Sequence, residues 1–198
     1  SNFGHGILAS FILFYAAQLT AEVSTGTDEE AKLPFWQWQS PGISIRFVQR
    51  LPDQSRGYFM ARKFSKTDAE TIAGNCVFQT IFKNTADTDS HLVIHYDLSE
   101  WRLTHNGQNQ KLKLREHWSA YWQKNAIEKS ARIAFEWSLL PSRQAYQAGD
   151  YNWGMTSFGL KPGERFDLNL VWYENASKKT GSIPNIQCAA DIHPDPSQ

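Results

Sequence analysis

Two β-rich runs flank a polar break within residues 75–103, and this stretch constrains the chain more than any other. The first run carries Val77, Phe78, Ile81 and Phe82, and the second Leu92, Val93, Ile94, Tyr96 and Leu98. Residues 84–90 between them are all Asn, Asp, Thr, Ser and Ala. Such side chains hydrogen-bond their own backbone and favour turns. The pattern predicts a β-hairpin central to a sandwich. Cys76 opens it, and the only other cysteine, Cys188, lies near the C-terminus. A bond between the two would tie the last strand to this hairpin.

Further strands follow from period-two alternation, in which every second side chain shares a face. Residues 35–39, Phe-Trp-Gln-Trp-Gln, place Trp36 and Trp38 on one face. Residues 43–50 place Ile43, Ile45 and Phe47 inward, and Pro52 ends that run. Tyr58, Phe59 and Arg62 suggest a short helix. Thr67 and Glu70 have the spacing of a capping box, predicting a second helix that stops at Gly74. Asn106-Gly107 is a strong hairpin signal because both residues tolerate positive φ. From residue 115 to 129 the period changes, and Trp118, Tyr121 and Trp122 fall on one face of a helix laid on the sandwich edge. Residues 132–140 read as a strand with Ile133, Phe135, Trp137 and Leu139 on one face. Residues 142–160 read as irregular, 166–173 as a strand, 174–182 as a polar loop and 183–189 as the closing strand.

Roughly seven short strands at this spacing suit an antiparallel sandwich. The run Gly-Leu-Lys-Pro-Gly-Glu-Arg-Phe-Asp-Leu-Asn-Leu-Val-Trp at 159–172, and Phe-Lys-Asn-Thr at 82–85 followed by a strand up to residue 98, resemble immunoglobulin-like domains of exported bacterial proteins. The expected fold class is therefore mainly β: an immunoglobulin-like antiparallel β-sandwich over 35–190, with a short helical pair, one edge helix and an N-terminal apolar segment. Fold alone implies no function.

The 198 residues suit one domain, and 20 basic residues balance 20 acidic ones. A nucleic-acid partner is not expected, because phosphate binding draws on a basic excess. Residues 6–17 are apolar and uncharged, and 1–21 reads as a signal peptide or a membrane anchor, with membrane contact through 3–21. Residues 22–34, polar and acidic, read as a flexible linker, and 191–198, with two prolines, as a loose tail. Two distant cysteines suit one disulfide, Cys76–Cys188, in an oxidising compartment, so the expected location is periplasmic or extracellular.

No nucleophile elbow, phosphate loop or dinucleotide fingerprint is present in the sequence, and no catalytic residue or cofactor is expected. His91 and His95 are weak metal candidates, with Met155 as a thioether partner for copper; on a strand the two histidines would stand about 13 Å apart, too far for one ion. Aromatic residues are the stronger lead. Trp36, Trp38, Tyr151, Trp153 and Phe158 are the candidate binding residues, since amphipathic rings favour interfaces. The expected function is a non-catalytic exported binding or accessory protein at the outer face of a membrane, holding a protein partner. The alternatives are a carbohydrate-binding module and a periplasmic copper-handling protein.

Overall fold

The computed structural model describes residues 20–192. They form two antiparallel sheets and four helices. The first sheet runs β1 (Glu22–Thr27), β2 (Pro34–Ser40), β3 (Ile43–Gln49), β4 (Val77–Asn84) and, at its far edge, β9 (Tyr151–Ser157). The second is built on β10 (Arg165–Glu174). Along one side β10 pairs with β11 (Ser177–Gln187); along the other it pairs with β6 (Arg102–His105) near its start and β5 (Ile94–Asp97) at its end. β7 (Gln108–Gln110) pairs with β6, and β8 (Arg143–Tyr146) with β5.

The sheets pack face to face. Ile43, Ile45, Phe47, Phe78 and Phe82 of the first meet Ile94, Tyr96, Leu103, Leu168 and Leu170 of the second, all buried. This explains why β4 and β5 do not form the hairpin that residues 75–103 suggest. Their inward side chains face each other across the sandwich, with the Phe82 ring 4.8 Å from both Tyr96 and Tyr146. The chain crosses between sheets instead of turning within one. Buried Asn84 holds that crossing, its Nδ2 donating to the carbonyls of Leu92 (2.9 Å) and Tyr146 (3.1 Å).

Cys76 and Cys188 are bonded, with Cα atoms 5.2 Å apart and a sequence separation of 112. In the loop-entropy account such a link contributes roughly 4 to 5 kcal/mol at most. It joins the start of β4 to the segment after β11, and it is a bond that a non-reducing environment maintains. Among the described residues no helix is long and apolar enough to cross a membrane.

The helices α1 (Pro52–Met60), α2 (Lys66–Ala73), α3 (Arg115–Lys124) and α4 (Lys129–Ser138) bury their own aromatic cluster. Phe59, Phe64, Trp118, Trp122 and Phe135 pack together and close over Val77 and Met155 on the outer face of the first sheet. The result is three layers at one end of the molecule: helices, first sheet, second sheet.

Several local expectations are corrected. Residues 132–140 are mainly helix, not strand: Ala131 and Phe135, four apart, are buried while Ile133 and Trp137 are exposed. The period-two reading of that run was one of two available, and the helical face won by packing. Residues 22–27 are strand β1, paired along their length with β2, not part of a linker. Residues 142–160 contain β8 and β9, and residues 174–182 turn over Asn175-Ala176 into β11. Asn175 takes φ +52° there. α2 is capped by Ser65, whose Oγ accepts from the Asp68 N–H, while Glu70 pairs with Arg56. Asp191 also pairs with Arg56 (2.6 Å), so the tail is fixed at its start. The signal or anchor reading, apart from its last residues, and the rest of the tail lie outside the described residues.

Candidate functional site

Residues 151, 153 and 155 of β9 share the outer face of the first sheet, as period two requires. Their fates differ. Met155 lies under the helix layer, whereas Tyr151 and Trp153 project beyond it and are 64% and 66% exposed. The layer stops here because α4 ends at Ser138 and the chain then turns along the β9 edge. The Leu140 N–H donates to the Met155 carbonyl (3.0 Å). A Cβ on Gly154 would overlap the backbone of Leu139 and Leu140, so this close approach depends on glycine.

Trp137, in the last turn of α4, is 85% exposed. It and Trp153 line one groove of about 230 Å³, with Arg115, Glu136, Leu139, Pro141 and Asn152. A second groove of about 480 Å³ has Tyr151 and Trp153 along one side. Val48, Gln79 and Ile81 of the open sheet face lie within it, and the β1–β2 connection contributes Asp28, Glu30 and Leu33. Trp153 belongs to both grooves.

The charges around the second groove are unevenly satisfied. Asp28 accepts from the backbone N–H groups of Ala31 (2.9 Å) and Glu30 (3.1 Å) and from Arg46 Nη1 (3.0 Å). The Ala31 bond, with Arg46, holds its carboxyl below the usual carboxylate range although burial opposes this. Arg46 is also stacked on Phe35 at 4.1 Å. Arg50, between β3 and α1, lines the groove and is half-buried. Burial makes it less basic than an ordinary arginine, and the nearby Arg62 adds to this.

The sequence candidates separate. Tyr151 and Trp153 are surface residues together on one groove. Trp36, Trp38 and Phe158 are not available to a partner in the same way. Trp36 is 8% exposed with its ring edge-on to Phe78, and Phe158 packs on Phe166 in the core. Trp38 is half-buried against Trp172 and fits flush on Gly181, where a Cβ would come within 2.7 Å of the indole. Trp36 and Trp38 do share one face of β2, and it is the core face. His95 stacks on Tyr173 (4.7 Å) on the second sheet, His91 is exposed and Met155 is buried under the helices, so the three do not converge. Among the described residues no group of three or more His, Cys, Asp or Glu is placed to hold a metal ion. Trp137 and Arg50 escaped the sequence reading. The spacing of Ala131 and Phe135 was the available signal for the first.

No family model, no curated protein and no solved structure matches this chain.

Proposed function

We propose that this chain is a non-catalytic binding or accessory module of an exported compartment, an immunoglobulin-like sandwich that holds a protein partner through Trp137, Trp153 and Tyr151. One observation carries the reading: Trp137 and Trp153, 85% and 66% exposed, line the same groove. Large bare rings in a contiguous patch are costly in water and are typical anchors of protein contacts. The disulfide supports an oxidising location, periplasmic or extracellular, and the apolar run at residues 6–17 supports action at the outer face of a membrane.

The test uses the full chain as bait for envelope extracts of its source cell, followed by affinity measurement with the purified partner. Joint substitution Trp137→Ala with Trp153→Ala is expected to weaken binding by roughly a hundredfold. Unchanged affinity would remove this surface from the interaction. A second reading, a carbohydrate-binding module, is favoured by Tyr151 and Trp153 standing beside the amide side chains of Gln54 and Gln79 in the larger groove. Quenching of tryptophan fluorescence by a neutral glycan panel, lost on Trp153→Ala, would favour it over the first.

A further inference from the structure

The larger groove holds hydrogen-bond donors that the protein itself leaves poorly matched. Arg50 donates from Nε to Ser55 Oγ (3.2 Å) and from Nη2 to the Gln54 carbonyl (3.3 Å), both neutral acceptors at long range. Among the described residues no carboxylate lies within 4.0 Å of it. Arg62 likewise has no described carboxylate within that distance. Its guanidinium stacks on the Tyr58 ring at 3.3 Å, and that of Arg50 lies 5.0 Å from the same ring. Two like charges thus lie against one aromatic ring, partly removed from water. Such an arrangement favours an anion, since opposite charge in a half-buried site offsets both the repulsion and the lost hydration.

Gln79 adds to this. It lines the same groove, and its Nε2 is buried without a hydrogen-bond partner among the described residues. The groove's own acids do not answer these donors. Asp28 is committed to Arg46 and its own turn, and Glu30 is an exposed residue of the β1–β2 connection.

We infer that Arg50 anchors a carboxylate of the bound partner, presented by an acidic side chain whose apolar neighbours lie against Trp153 and Tyr151. The inference rests on the protein-binding reading above and names the chemistry that reading lacks. A peptide fits better than an acidic glycan because Trp153 also lines the adjoining Trp137 groove. Ile133, 46% exposed, is one helical turn from Trp137. At that end Ile133 and the two indoles offer apolar contact beside the charged Arg115 and Glu136, a mixture suited to the varied side chains of a peptide. About 480 Å³ is room for a short extended stretch of side chains.

The experiment titrates the full ¹⁵N-labelled chain with three probes: acetyl-Leu-Glu-Leu-amide, acetyl-Leu-Gln-Leu-amide and trigalacturonate. The glutamate peptide is expected to shift the Arg50 Nε–H and Trp153 indole N–H resonances. The glutamine peptide should bind roughly tenfold more weakly or worse, as loss of a charge-assisted pair implies. Arg50→Gln should erase that difference between peptides, and Arg50→Lys should retain part of it as a point charge. Equal binding of the two peptides overturns the inference, as does silence toward all three probes. Binding of trigalacturonate alone also overturns it, assigning the acid site to a glycan. Should Arg50→Gln fail to fold, the peptide comparison on the unaltered chain still decides. Arg50→Gln is then tested against the purified partner beside the Trp137→Ala, Trp153→Ala chain. If it binds normally while the tryptophan variant does not, this inference fails and the protein-binding reading stands.

Discussion

Both faces of the first sheet carry large apolar side chains, and those side chains meet opposite ends. On the inner face, Trp36, Ile45, Phe47, Phe78 and Phe82 are sealed against the second sheet. On the outer face, Val77 and Met155 are covered by helices, while Tyr151 and Trp153 on the same sheet stay bare. Alternation decides which face a residue joins; it does not decide what covers that face. The helix layer is short, and where it ends an aromatic surface remains that the fold does not need for its own burial. That surplus makes the bare end the candidate binding surface.

This contrast can be broken by substitution. Trp36→Ala on the inner face should cost about 3 to 5 kcal/mol of folding stability by urea denaturation. A cost below about 1 kcal/mol would show that this face is looser than its packing. Reduction of Cys76–Cys188 should lower stability by about 2 to 5 kcal/mol, read as a fall in the urea midpoint with reductant present. Gly154→Ala forces the β9 edge away from Leu139 and Leu140 and should cost about 1 to 3 kcal/mol. It should also disturb the Trp137–Trp153 groove, visible as altered tryptophan fluorescence. Smallest of all, Trp137→Ala should change stability by no more than about 0.5 kcal/mol. A large loss there would mean that the ring belongs to the helix layer's packing.

Acid and alkali should act on different sides of the comparison. Asp28 sits beside the outer groove, and its carboxyl is held low by the Ala31 N–H and Arg46. Asp97 is also low, because hydrogen bonds from Ser99 and pairing with Arg143 outweigh its burial. The stability these groups add is present above about pH 4, the unfolded carboxylate value, and is lost as pH falls through their lower folded values. Within the core, burial raises Tyr96 and pushes Tyr146 up to about 12. Their contribution is present below about pH 10 and is lost as pH rises toward the folded values. Melting temperatures measured across pH, alone and with Asp28→Asn, check this. The variant should flatten part of the acid limb and leave the alkaline limb unchanged.

Much of the core was legible in the residues. Phe166, Leu168, Leu170 and Trp172 alternate cleanly, and β10 buries all of them. Asn106-Gly107 makes the β6–β7 turn as its backbone preferences require. The helical face of α3 was legible in Trp118 and Trp122, both buried. α4 was not, because Ile133, Phe135, Trp137 and Leu139 satisfy period two as well as Ala131 and Phe135 satisfy a helix. Short apolar runs do not discriminate between the two. β11 was partly hidden because its first half is polar, with Lys178 and Lys179 exposed on an edge strand where charge is tolerated. Of the candidate surface, Tyr151 and Trp153 were legible as aromatic excess in a glycine-spaced segment, while Trp137 and Arg50 were not.

What the sequence determined by itself was local: mainly β structure, most of the strand faces, the tight turns and a pair of cysteines suited to one bond. All but the cysteine pair depend on neighbours within a few residues, where backbone preference and alternation dominate. Only the tertiary structure decided that β4 and β5 lie in opposite sheets and that Trp36 and Trp38 face inward. It alone decided that the helices stop short of Trp153. Those outcomes depend on which distant surface arrives to bury each face, and burial by a distant partner leaves no period in the chain.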